Sequence, residues 1–254
     1  MDVVIADRVS KRFLLRHNHS PELKVQFLAL FHPGQRTRIE EFWALRDVSL
    51  TLAPGEAVGF IGRNGSGKST FLKMIAGLQR PTEGRLLVRR AMRMTAIIEL
   101  GAGFHPELTG RENVRLEASI YGLDRRQIDA LYPAIVAYSG LEHFMDLPLK
   151  SYSSGMAVRL GFSIAAHLEP DVLLLDEVFA VGDAEFKAQC VATLRDFRKR
   201  GKTIVLVSHS ADAIRTLCDR ACVLDHGRLV FDGAVDEGLR RHAELMTGQG
   251  TSPL

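Results

Sequence analysis

No stretch of this sequence approaches the ~20 consecutive apolar residues that a membrane-spanning helix needs. The N-terminal "MDVVIADRVS" has an acid at position 2 and no apolar core of the kind a signal sequence carries. Any work at a membrane is therefore expected to require a separate spanning partner. Cysteine is scarce: Cys190, Cys218 and Cys222 form no Cys-x-x-Cys pair and are odd in number. That excludes a disulfide framework and points to a reduced cytosolic chain whose cysteines are small buried hydrophobes. No block of one charge sign occurs, because 33 Lys and Arg face 30 Asp and Glu in mixed-sign pairs, for a formal net charge of +3. Nucleic acid is not implied as a partner. Internal repeats are absent, and the short polar tail "TGQGTSPL" is the sole low-complexity tract.

What remains is ordinary globular composition, 46% hydrophobic and 25% charged over 254 residues, enough for one large domain or two small ones. "DVVIADRVSKRF" and "WALRDVSLTLAPGEAVGFIG" alternate or run apolar as strands do, and predict an N-terminal sheet. "STFLKMIAGL" has helical spacing and ends before Pro81. After the strand-like "MTAIIEL" the character changes: a glycine-rich loop precedes helical patterns at "RENVRLEASIYGL", "RRQIDALYPAIVAYSGL" and "GMAVRLGFSIAAHL". Strands return at "DVLLLDE" and "TIVLVSH" around the helix "AEFKAQCVATLRDFRKR", and "RACVLDHGRLVFDG" reads as a hairpin turning at His226-Gly227. Buried strands alternating with helices predict an α/β core with a largely parallel sheet.

Residues 14–41 break the pattern. "SPELKVQFLALF" starts with Ser20 as N-cap and Pro21 at the first helical position, and shows an apolar face of Leu23, Phe27, Leu30 and Phe31. A short amphipathic helix over 20–31 is expected, either packed on its own domain or offered to a membrane or partner. His17, His19 and His32 lack the carboxylate or cysteine spacing of a metal site.

Chemistry concentrates in three places. "GFIGRNGSGKST" contains G-x-x-x-x-G-K-[ST] after a strand and before a helix. Glycine lets the backbone wrap phosphate oxygens with its N–H groups inward, so Gly62, Arg63, Asn64, Gly65, Ser66, Gly67, Lys68, Ser69 and Thr70 form the expected nucleotide cradle. Lys68 would balance β/γ-phosphate charge and Ser69 ligate Mg²⁺ at a helix N-terminus. "DVLLLDE" ends a strand with Asp176, suited to holding Mg²⁺, and Glu177, suited to activating water. "TIVLVSHS" places His209 at a second strand end, within reach of a γ-phosphate.

Taken in order, "GRNGSGKST", "YSSGMAVRLGFSIA", "VLLLDEVFAVGD" and "VSHS" resemble the nucleotide-binding domain of ATP-binding cassette proteins over nearly the whole chain. "ELGAGFHPELTGRENV" and "SSGM" are further similar to ATPase subunits of bacterial polysaccharide exporters for O-antigen, capsule or teichoic acid. The resemblance implies a P-loop NTPase core with a mainly parallel sheet, N-terminal antiparallel strands and an inserted helical subdomain. The core would comprise residues 1–98 and 169–254, interrupted by the 14–41 insertion, and the helical subdomain residues 99–168. It implies ATP and Mg²⁺ as ligands, and a homodimer in which Ser153, Ser154, Gly155 and Met156 serve the nucleotide of the opposite subunit. Asp183, in "AVGD", would couple the two sites. The loop that carries a glutamine in the family has none here, and Glu99 lies closest to its place.

The adenine-stacking aromatic is either Phe13, favoured by register before the insertion, or Trp43, close to the following strand. Function is expected to be ATP-driven export of a lipid-linked polysaccharide, with an integral-membrane permease as partner, at the cytoplasmic face of a bacterial cytoplasmic membrane. Export of another cargo and a soluble role in repair or on the ribosome are the alternatives. The latter members carry coiled-coil insertions or paired cassettes, and this chain has neither. No separate sugar-binding domain is expected after residue 240, which disfavours length-controlled O-antigen systems with end-modification readers and leaves capsule, teichoic-type and other polymers open.

Overall fold

The structure, a computed structural model, describes residues 2–17, 38–89, 92–97, 103–176 and 183–247. Its central strands are short apolar runs: β3 (Ala57–Ile61), β6 (Val172–Leu175) and β7 (Thr203–Val207) are buried at every position. Such burial belongs to a sheet covered on both faces. With β5 (Met94–Ile97), β8 (Arg220–Asp225) and β9 (Arg228–Ala234) they form a six-stranded sheet in the order β5-β6-β7-β3-β8-β9. Neighbours are parallel throughout except β8 and β9, an antiparallel hairpin. It turns at His226 and Gly227, both with positive φ (44° and 79°), as a two-residue hairpin turn requires.

A second, antiparallel sheet has the order β2-β1-β4, from β1 (Val4–His17), β2 (Arg38–Leu52) and β4 (Glu83–Val88). The β1–β2 ladder runs from Val4 opposite Leu52 to His17 opposite Arg38. Residues 14–17 and 38–41 are therefore strand, which corrects the expected bounds of the insertion. Cross-strand pairing carries the ladder that far: Phe13 stands opposite Phe42, and Arg12 is paired with Glu41 at 2.8 Å. The expected helix over 20–31 lies outside the described residues.

Three apolar clusters hold the fold. One lies between the two sheets and around α1 (Lys68–Ile75), where Val9, Leu45 and Leu52 meet Phe60, Phe71 and Leu174. The opposite face of the large sheet is covered by α5 (Ala184–Lys199), α6 (Ala211–Leu217) and α7 (Val235–Met246), with Phe186, Leu194 and Phe197 innermost. Each such side chain contributes about 1.5–3 kcal/mol by leaving water. The third cluster belongs to α2 (Gly110–Ile120), α3 (Arg125–Ser139) and α4 (Ser154–His167), through Val114, Ile135, Leu160 and Ile164. Capping boxes start α2 (Thr109 with Glu112) and α3 (Asp124 with Gln127), satisfying N–H groups that a helix start leaves open. All three cysteines are buried, and burial pushes the Cys190 and Cys218 thiols up to about 12.

Candidate functional site

The site grows from the exit of β3. The chain leaves Ile61, turns through residues 62–67 and enters α1 at Lys68. Gly67, the residue capping the helix, has φ 103° and offers no side-chain cap, and a Cβ there would stand 2.4 Å from the Ala44 carbonyl oxygen. The loop is thus pressed against β2 where only glycine fits. The first-turn N–H groups of α1 have no intrahelical acceptor, which favours an anion at that end. Lys68 is buried, and its Nζ donates to the carbonyl oxygens of Gly62 (2.8 Å) and Arg63 (2.9 Å). From outside, the β8–β9 turn braces the loop: the Gly227 N–H donates to the Ser66 carbonyl oxygen (3.1 Å), while the Arg46 N–H donates to Gly227 (2.7 Å).

Residues 64–70 line an open cleft together with Asp176 and His209, which follow the ends of β6 and β7. These are adjacent parallel strands, and the cleft lies at their carboxyl ends, where α/β sheets collect ligands. Phe42, Ala44 and Val207 supply its apolar wall. The residues fit a phosphate chain: a buried lysine, an uncapped helix start and the Ser66 hydroxyl, whose buried oxygen has no hydrogen-bond partner among the described residues. They also fit a magnesium ion, since Ser69 and Asp176 present hard oxygen donors to the same cleft.

The aromatic wall of the cleft differs from the pair that the sequence offers. Phe42 lines the cleft, whereas neither Phe13 nor Trp43 does. Phe13 is the cross-strand partner of Phe42, one strand farther out. Trp43 alternates to the other side, where the guanidinium groups of Arg12 and Arg46 lie 5.5 and 5.7 Å from its ring centre. Glu99 and Glu177 lie outside the described residues.

The "SSGM" residues do not join this cleft. Ser153 caps α4, its Oγ accepting from the Met156 N–H at 3.2 Å, and Ser153 and Ser154 are exposed. Among the described residues, a Cβ at Gly155 would approach only Ser153 Oγ, at 3.9 Å, so the surface there is open to them. Asp183 caps α5 through the Phe186 N–H (2.8 Å), which together with the neighbouring Arg159 charge holds its carboxyl below the usual range.

Two residues escaped the sequence reading. Arg159 joins α4 to Asp183 (2.9 Å), to the Ser139 carbonyl oxygen (2.9 Å) and to the Phe186 ring (5.0 Å), tying the "SSGM" helix to the start of α5. Asn113 is fully buried. Its Oδ1 accepts from the His105 N–H (2.7 Å), and its Nδ2 donates to the carbonyl oxygens of His105, Leu108 and Thr109. Residues 105–109 form a loop wound around that amide, which stands in the first turn of α2.

The sequence profile described as "ABC transporter" matches residues 45–180. The chain is 41% identical over 247 residues to the O-antigen export system ATP-binding protein RfbB of Klebsiella pneumoniae, covering 96% of this chain and 98% of that one. It is 40% identical to the teichoic acids export ATP-binding protein TagH of Listeria monocytogenes, covering 94% of this chain and 69% of the relative. Among solved structures it is similar in fold to the dimeric ATP-binding cassette MJ0796 bound to ADP and Pi. The TM-score is 0.72 at 22% identity, over 91% of this chain and 98% of that one.

Proposed function

The chain belongs to the ABC transporter family, and from that premise we propose that it hydrolyses ATP to drive export of a lipid-linked polysaccharide. The observation that carries the ATPase reading is the cleft in which residues 64–70, Asp176 and His209 converge. The cargo is suggested by relatives whose names specify O-antigen and teichoic acid export. Among the described residues no helix is long and apolar enough to cross a membrane. A permease partner and a peripheral position on the cytoplasmic face of the membrane complete the reading.

Each residue then has a task. Lys68 and the N–H groups at the start of α1 neutralise the phosphate chain, and Phe42 offers a ring face to the adenine. Ser69 and Asp176 hold Mg²⁺, which when bound offsets charge on the phosphate oxygens. Glu177 accepts the proton of the attacking water, and His209 contacts the terminal phosphate. Ser153, Ser154 and Gly155 close over the nucleotide of a second copy in a head-to-tail dimer, and the open surface at Gly155 suits that use. Arg159 links this motif to Asp183 and so couples its movement to the dimer interface. Residues 1–98 and 169–254 act as the ATP-binding core and 99–168 as the helical subdomain, with Glu99 at the joint between them.

The Glu177→Gln variant tests the ATPase reading. Hydrolysis should fall about a hundredfold or more, as loss of a general base implies, while Mg·ATP binding persists and drives dimer formation on a sizing column. A variant that stays monomeric with ATP and turns over normally would refute it. For the cargo, replacing the chromosomal copy by Lys68→Ala should leave lipid-linked polymer inside the cell. Normal surface polymer in that strain would assign the transporter to another substrate.

A further inference from the structure

Helix α7 carries none of the motifs that point to a nucleotide, yet it reaches the nucleotide site. It packs on the β8–β9 hairpin, where Gly238 permits close approach: a Cβ there would lie 2.7 Å from that of Ala221. Spacing of four residues puts His242 and then Met246 on the same helical face. Both line a second pocket with Gly62, Arg63, Asn64 and His209. This pocket shares Asn64 and His209 with the phosphate cleft, so His242 borders the flank of the loop nearest the strand ends.

The charges around this imidazole are mixed. Lys68 from α1 and His209 after β7 are near enough to oppose its protonation, Asp225 at the end of β8 favours it, and Arg63 lines the same pocket. Burial first, then His209 and Lys68, hold His242 below the ordinary histidine range. A polyanion placed against Lys68 and His209 would cancel the two opposing charges.

We infer that His242 is a positioning residue of the nucleotide site, which takes a proton from solvent when the terminal phosphate of a nucleoside triphosphate occupies the cleft. The inference rests on the nucleotide reading above. The charged ring draws α7 onto the phosphate loop, and the proton returns to solvent when that phosphate departs. Occupancy of the site is thereby transmitted to the C-terminal helix. A diphosphate, lacking the terminal group, offsets Lys68 alone and so protonates His242 less.

The experiment measures binding of Mg·ATP and Mg·ADP to the full chain by calorimetry, near pH 6 and near pH 8, in buffers of different ionisation enthalpy. Wild type should bind ATP about 3–10-fold tighter at the lower pH with measurable proton uptake, as one linked site allows. His242→Gln should weaken ATP binding about threefold or more near pH 6, reduce the uptake and change ADP binding less than about twofold. His242→Arg, permanently charged, should keep tight binding at both pH values. An ATP affinity and proton uptake in His242→Gln equal to wild type would overturn the inference. So would equal weakening of ATP and ADP together with a lowered melting temperature, which marks a packing role. Failure of wild type to bind Mg·ATP at all would instead remove the nucleotide reading.

Discussion

The brace that the β8–β9 turn gives the phosphate loop predicts a specific cost for Gly227→Ala. Gly227 has φ 79°, and an added Cβ would stand 2.8 Å from the Ala44 carbonyl oxygen and 3.1 Å from its carbon. Both are backbone atoms of β2 and cannot yield as a side chain would. Gly77 supplies the control: its φ is 75°, nearly the same, but nothing lies within 4 Å of its would-be Cβ. Gly77→Ala should therefore cost only the left-handed strain, about 1–2 kcal/mol. Gly227→Ala carries the same strain and must also displace the turn. That weakens the bonds from Gly227 to Ser66 and from Arg46 to Gly227, each worth about 1 kcal/mol. The sum is about 3–4 kcal/mol. Because Ser66 is part of the cradle, Gly227→Ala should also weaken Mg·ATP binding about fivefold, the equivalent of one displaced bond, while Gly77→Ala leaves it near wild type. Urea unfolding monitored by circular dichroism gives the stabilities, and nucleotide titration gives the affinities. Equal destabilisation by the two variants, with unchanged nucleotide affinity in Gly227→Ala, would show that the turn does not brace the loop.

Two further perturbations test other parts of the site. Phe42→Ala should weaken Mg·ATP binding by about 1–3 kcal/mol through loss of a stacking face, whereas Trp43→Ala, on the opposite side of β2, should change it less than about twofold; the reverse order, read by fluorescent nucleotide titration, would return the role to Trp43. Glu117 on α2 has a buried Oε1 with no hydrogen-bond partner among the described residues, and burial pushes its carboxyl up to about 6. Its folded form is penalised when ionised, so stability is greatest below the unfolded value of 4.5 and declines as pH rises through about 6. Glu117→Gln should match wild type below about pH 4.5 and exceed it by about 1 kcal/mol above pH 7, after allowance for solvent screening. Thermal melts across that range that show no gain at neutral pH would place the penalty elsewhere.

What could be read from the sequence was what local chemistry dictates. The phosphate loop, the apolar strands ending at Asp176 and His209, and the turn at His226-Gly227 each follow from a short run whose backbone needs or burial admit few alternatives. What could not be read depends on which distant residue a side chain faces. The sequence offers Phe13 and Trp43 as stacking rings, and only the ladder that runs on to His17 and Arg38 sets Phe13 opposite Phe42, which lines the cleft. β4 escaped notice because its positions are mostly exposed, so that no apolar alternation marks it. Asn113 is the sharpest instance. As a letter it reads as a polar surface residue of an amphipathic helix, but within the fold it is the buried centre of four hydrogen bonds to the segment 105–109. Asn113, within the segment that carried the exporter resemblance, therefore fixes the conformation of residues 105–109 from the first turn of α2. His242 follows the same logic, since its helix has an ordinary pattern and only the packing of Gly238 on Ala221 brings its imidazole beside His209. Motifs thus locate the groups that line the cleft, whereas the residues that hold those groups in place are set by non-local packing.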